Sequence, residues 1–251
     1  MDWDEPAIVL AIRPHGESDA VATLMTESHG AHRGLARGAQ SRTRTALWQP
    51  GNLVQARWVA RLSDQLGSFT AEPVHSPGAL VLDDALALSM LTAACAVAEA
   101  ALPEREPHPR VFDGLLHLLA RLPQGPAMLD DQIRWELLLL SDLGYGLDLT
   151  HCAVTGATEQ LAYVSPKSGC AVSEAGVGLW RERLLPLPPL LLGNAAPGNP
   201  PEWQAGLRLT GHFLARVFAL QHKPLPLARQ ALYDRVSNLP GASPMESESD
   251  V

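Results

Sequence analysis

The stretch "GNLVQARWVARL", Gly51 to Leu62, alternates without a break. Leu53, Gln55, Arg57 and Val59 fall on one side, and Val54, Ala56, Trp58 and Ala60 on the other. A period of two belongs to a β-strand whose faces meet different surroundings. The residues before it read the same way. "PAIVLAIRP" is apolar and β-branched and ends at Pro14, and "SDAVATLMTES" sets Val21, Thr23 and Met25 on one face. "HGESD" between them is a turn by its Gly and its acids. "GAHRGLARGA" supplies a Gly-rich third strand and "QLGSFTAEPV" a fifth. Five short strands within about 75 residues predict a small barrel, and the OB-fold is the common five-stranded solution. A helix between the strands has no clear place in the pattern.

"HSPGAL", His75 to Leu80, is a punctuated linker, after which the texture turns helical. "LVLDDALALSMLTAACAVAEAAL" carries Asp83 and Asp84 near its start, where acids favour the helix dipole. "RVFDGLLHLLARL" places Phe112, Leu115, Leu116 and Leu119 on one face. "MLDDQIRWELLLLSDLGYG" ends at Gly144 or Gly146. "WQAGLRLTGHFLARVFALQH" and "PLARQALYDRV" complete the set. The expected class is α+β: an OB-fold domain over 1–78, a helical domain over 79–238 with a ribbon-like insertion near 149–178, and a disordered acidic tail over 239–251.

The chain of 251 residues has a net charge of -8, yet Gly30 to Leu62 holds Arg33, Arg37, Arg42, Arg44, Arg57 and Arg61 and no acid. Binding responds to local potential rather than to the sum. Arg suits phosphate through its planar donor fork. Trp48 and Trp58 lie in the same segment, where each could stack on a base or pack in the core. Trp58 alternates with Arg57 and reads as core; Trp48, ahead of Pro50-Gly51, stays open between the two roles. Gly34 and Gly38 permit bends or close backbone approach. The spacing is not that of a Walker loop, which needs Gly-Lys-Ser/Thr.

Cys95, Cys152 and Cys170 are too few for a disulfide framework. A zinc ribbon needs two Cys-x-x-Cys pairs. Here Cys152 is followed by Thr155 where the second ligand belongs, and Cys170 by Ser173. The pair is read as a degenerate site with no bound zinc, and no other cofactor is expected. There is no catalytic constellation: Asp83-Asp84 and Asp130-Asp131 read as helix starts, and Ser165 lacks a nucleophile elbow. The acidic "MDWDEPAIV" is unlike a basic signal peptide, and no stretch reads as a membrane span, which predicts a cytoplasmic protein.

Four blocks together resemble the RecO family of bacterial recombination mediators: "VLAIRPHGESDAVATLMTESHGAHRGLARGAQ", "LWQPGNLVQARW", "RWELLLLSDLGYGLDLTHCAVTG" and "YVSPKSGCAVS". The resemblance implies an OB-fold, a helical domain and a zinc-binding or ribbon-like insertion, whose four-cysteine pattern this chain departs from. It implies binding of single- and double-stranded DNA, annealing of complementary strands and loading of RecA on DNA coated by single-stranded DNA-binding protein (SSB). It further implies action with RecR in the RecF pathway, on the bacterial nucleoid. No bond chemistry is required, so no enzyme is expected. The DNA contacts are assigned to Arg33, Arg37, Arg42, Arg44, Arg57, Arg61 and Trp48. Arg110, Arg121 and Arg134 are the candidates for the acidic, apolar SSB tail, Arg134 foremost because it lies in the "RWE" block. An adaptor that recruits SSB and RecR with only indirect DNA contact is the alternative.

Overall fold

The structure is a computed structural model that describes residues 1–62, 65–193 and 196–242. It divides into two compact units, Met1–Gly125 and the residues from Pro126 onward. The change from strands to helices near residue 78 therefore does not coincide with the division in packing. Of the expected acidic tail, residues 243–251 lie outside the described residues.

The first unit begins with β1 (Asp2–His15), β2 (Asp19–Thr26), β3 (Gly30–Ala36), β4 (Leu53–Val59) and β5 (Ser68–His75). They close into a barrel in the order β1-β2-β3-β5-β4, the OB arrangement expected from the sequence. β1 makes closure possible. Its first half pairs with β4, from Asp2↔Val59 to Ile8↔Leu53, and its second half with β2, from Ala7↔Thr26 to His15↔Asp19. The register shifts between Val9 and Ala11, and such a bulge bends one strand to serve both neighbours. The last seam is short and parallel, Leu35↔Ser68 and Ala36↔Phe69.

β4 behaves as its alternation predicts: Val54, Ala56 and Trp58 are buried, while Arg57 and Val59 are exposed. β2 does not. Ala20, Ala22 and Leu24 join the barrel core, yet Thr23 and Met25 on the other face are buried too. Helices cover that outer face, and two-sided burial erases the polar half of the alternation. The helices are α2 (Ala85–Ala101), packed on β1, and α3 (Pro109–Arg121), packed on β2. The expected linker holds a single turn, α1 (Pro77–Leu80). Asp84 caps α2, its Oδ1 accepting from Leu86 N at 2.9 Å and Ala87 N at 3.0 Å. On α3, Leu118 is fully buried and Leu116 only partly.

The second unit contains α4 (Met128–Asp142), a small sheet of β6 (Leu161–Val164), β7 (Ala171–Ser173) and β8 (Leu185–Pro186), then α5 (Pro200–Leu220) and α6 (Leu227–Ser237). Gly144, at φ +85, follows the end of α4, as a left-handed C-terminal stop requires. Asp130 is not only a helix-start acid. It is buried, with Oδ1 accepting from Trp203 Nε1 at 2.7 Å and Oδ2 from Gly198 N at 3.0 Å.

α4, α5 and α6 meet at an ion pair with almost no exposure. Arg229 donates from Nε to Glu136 Oε1 at 2.5 Å and from Nη2 to Oε2 at 2.9 Å. Thr210 and Gln132 also donate to the same carboxylate. A charge stripped of water is tolerable only with its partners in place. Arg229→Met, which strands Glu136, should cost about 3–5 kcal/mol in urea unfolding. A second substitution, Glu136→Leu, should recover much of that loss; a double variant no more stable than Arg229→Met would show that the pair is not the cause.

Candidate nucleic-acid interface

The segment from Arg37 to Asn52 joins β3 to β4 as a run of turns rather than a helix. Its shape is fixed from both sides. Gly38 takes φ +64, and its N–H donates to Asp19 Oδ1 at 2.7 Å. Gln40 Nε2 donates to Asp19 O at 2.6 Å. Near the other end, Asn52 Nδ2 donates to Ala46 O at 2.8 Å and Leu47 O at 3.1 Å. Between these anchors Ala39 and Trp48 turn into the barrel core.

The structure separates the six arginines. Arg37, Arg42 and Arg44 lie exposed on this connection, and Arg44 Nη1 donates to Arg37 O at 3.1 Å. No ion pair engages these three among the described residues. Arg57, by contrast, projects from β4 toward β1 and pairs with Asp2 at 3.0 Å. Arg33 on β3 lies 3.9 Å from Glu99, which Arg13 also holds, at 2.8 Å. Arg61 is exposed just beyond β4. The acids that meet Arg33 and Arg57 are far away in sequence, which is why counting along the chain missed them.

Trp48 corrects the sequence reading. It is 3% exposed and belongs to the barrel core, so its ring offers no free face for stacking on a base. Trp58 is core as expected, with Nε1 donating to Leu66 O at 3.0 Å. Its neighbours form an aromatic group: Trp3 stacks on His29 at 5.1 Å, and His32 meets Trp58 edge-on at 4.5 Å. Burial, helped by Arg105 and His29, pushes the His32 imidazole down to about 4, so it is neutral at physiological pH.

Sequence reasoning also missed a cleft of about 310 Å³ between the Arg37–Asn52 connection and the β1–β2 end of the barrel. Ile12, Pro14, Ala20 and Ala39 form apolar walls, and Gln40, Thr45 and Gln49 supply polar groups. Three of these polar residues are unremarkable one by one in the sequence; only the fold of the connection brings them together.

Arg110 and Arg121 stand at opposite ends of α3, about 16 Å apart at the helical rise, so the two do not make one rim. Arg110 is exposed, while Arg121 bonds to Gln124 Oε1 and His117. Arg134 belongs to the second unit. Its Nη2 donates to Leu190 O at 2.9 Å and its Nη1 lies 3.9 Å from Asp131.

The segment expected to form a ribbon-like insertion brings Cys152, Thr155, Ser173 and Gly176 together, not Cys170. A Cβ added to Gly176 would lie 3.0 Å from Cys152 Sγ and 3.3 Å from Ser173 Oγ. Cys170 is displaced to a neighbouring turn, where its Sγ lies 3.8 Å from Ser168 O. One thiol, two hydroxyls and a glycine do not fit zinc, which takes thiolate and imidazole ligands. Hydrogen bonds organise the knuckle instead. Cys152 Sγ accepts from Ser173 N at 3.2 Å and from Val154 N and Thr155 N at 3.4 Å, and the Thr155 and Ser173 hydroxyls meet at 3.2 Å. Among the described residues no group of three or more His, Cys, Asp or Glu could hold a metal ion.

Burial pushes the Cys152 thiol up, but the donors from Ser173 and Thr155 outweigh it and bring it from 9.0 down to about 6. A depressed folded value favours the native state above the unfolded value and loses that contribution as pH falls through the folded one. The stability advantage of the wild type over Cys152→Ala should therefore be largest above pH 9, shrink toward pH 6 and level off below it. Thermal unfolding of both proteins across that range checks this; a difference independent of pH would exclude a thiolate.

Residues 1–77 match the family description "Recombination protein O N terminal", and residues 82–226 match "Recombination protein O C terminal". The chain is 54% identical over 242 residues to the DNA repair protein RecO of Granulibacter bethesdensis, covering 95% of this chain and 97% of that one. It is 52% identical over 249 residues to the protein of the same name from Gluconacetobacter diazotrophicus, covering 96% and 98%. The corresponding Acidiphilium cryptum protein is 51% identical over 241 residues, covering 94% and 96%. With both halves matched, in order, on an OB barrel followed by helices, the chain belongs to the RecO family of DNA repair and recombination proteins.

Proposed function

We propose that this protein serves repair and recombination as a non-enzymatic mediator. It binds single- and double-stranded DNA, anneals complementary strands and, with RecR, helps load RecA on SSB-coated DNA. The observation that carries the DNA-binding part is the group Arg37, Arg42 and Arg44: exposed, on one braced connection, and without an ion pair among the described residues. Cations not already neutralised by carboxylates are those that displace counterions from phosphate. Arg61 is a secondary contact. Arg33 and Arg57, held by Glu99 and Asp2, contribute less.

The SSB tail is acidic and apolar, and the proposed contacts for it remain Arg110, Arg121 and Arg134. Arg110 is the most available, because Arg121 and Arg134 already bond within the chain. No helix among the described residues is long and apolar enough to cross a membrane. Work on the nucleoid in the cytoplasm is the setting this role requires.

Fluorescence anisotropy with labelled DNA over a salt series tests the surface. Replacing Arg37, Arg42 and Arg44 together by Ala should flatten the log–log salt slope for single strands by about 2. Arg57→Ala should leave both slope and affinity nearly unchanged. A triple variant that binds as tightly as the wild type at low salt would refute this surface.

A further inference from the structure

The cleft beside the three arginines has a chemistry of its own. Its walls, from Ile12, Pro14, Ala20 and Ala39, repel an ion, so a phosphate does not belong inside it. Its polar groups exclude a wholly apolar occupant. Gln49 Nε2 donates to Thr45 O at 3.1 Å, and Gln40 Nε2 to Asp19 O at 2.6 Å. Both amides thus spend their donors on the backbone and keep Oε1 as an acceptor. Trp48 forms part of the wall, and its buried Nε1–H has no hydrogen-bond partner among the described residues. An occupant with flat apolar faces and polar edges matches this lining.

The position narrows the class further. The residues that line the cleft from Ala39 to Gln49 belong to the same connection that carries Arg37, Arg42 and Arg44, and that connection contains no acid. A ligand in the cleft whose flanking groups are anionic can therefore set them on the arginines. We infer that the cleft receives one unpaired base of a DNA strand whose phosphates rest on Arg37, Arg42 and Arg44. The inference rests on the DNA-binding reading above and adds a source of selectivity. A base inside a duplex has its edge paired and its faces stacked, so only single strands can fill the cleft without first unpairing.

The test uses the full-length protein and three labelled probes of equal length: oligo-dT, the same strand with abasic sites throughout, and a duplex. Wild-type protein should bind oligo-dT at least about fivefold more tightly than the abasic strand, which is what burying about 40 Å² of apolar base surface against the aliphatic walls contributes. Thr45 is exposed, so Thr45→Leu obstructs the cleft without entering the core; because its hydroxyl donates to Ser41 O at 2.9 Å, the duplex affinity of the variant reports whether the arginines on the connection stay in place. That variant should lose the preference for oligo-dT and keep its duplex affinity. Equal wild-type affinity for oligo-dT and abasic strand would overturn the cleft while leaving the arginine surface standing. A Thr45→Leu protein that retains the full preference would overturn it too. Binding to none of the probes at low salt would overturn the DNA-binding reading and this inference together.

Discussion

The barrel closes because a few large rings fill an interior lined by very small strand residues. Ala7, Ala20, Ala22, Ala36 and Ala56 face Trp48, Trp58 and Phe69. The fit leaves no slack: a Cβ on Gly34 would lie 2.6 Å from Phe69, and one on Gly67 2.4 Å from Trp58 Nε1. Interiors at crystal-like density transmit such constraints instead of absorbing them. Trp48 matters most, because it comes from the β3–β4 connection and not from a strand. By inserting it, the core holds that connection down, and Gly38, Gln40 and Asn52 fasten the ends. The exposed arginines therefore stand on a segment anchored by the same packing that completes the barrel.

The second unit rests on polar contacts where the first rests on rings. Glu136 gathers donors from Arg229, Thr210 and Gln132, tying three helices at one carboxylate. Asp130 does the same on a smaller scale for Trp203 and Gly198. These groups are directional, so they fix how the helices are set against each other, which a uniform apolar core would leave less determined. The knuckle follows the same logic. Three amides aimed at the Cys152 sulfur hold two tight turns together where a ribbon would use a metal.

The strands of the barrel and the order of the helices were legible in the sequence, because both rest on local periodicity. Val54, Ala56 and Trp58 announce their face within seven residues. The burial of Thr23 and Met25 was not legible, since covering helices from later in the chain decide it. The candidate site was half legible. A run of arginines without acids marked the right segment, but alternation could not show that Trp48 points inward or that Asp2 and Glu99 reach two of the arginines. Cys170 looked like a ligand remnant by residue type. In the fold, Ser173 and Gly176 occupy the second turn, and nothing in their chemistry advertises it.

An acidic chain can present a basic surface only if its acids are kept from it. Arg57 and Asp2 are both more than half exposed, at 55% and 58% of their side chains, so the energy of their pair is small. Its consequence for a polyanion is larger than its energy. A phosphate that approaches Arg57 meets the field of a carboxylate 3.0 Å away and gains little at distances beyond the Debye length. Arg33 shares Glu99 with Arg13, which places two cations on one largely buried acid and leaves a partial positive excess. On the β3–β4 connection no ion pair with an acid intervenes among the described residues, and Asp19, at the foot of the connection, accepts from the Gly38 amide. The number of unpaired arginines, more than the total, is what sets the local potential, and it concentrates that potential on a connection that also borders a cleft.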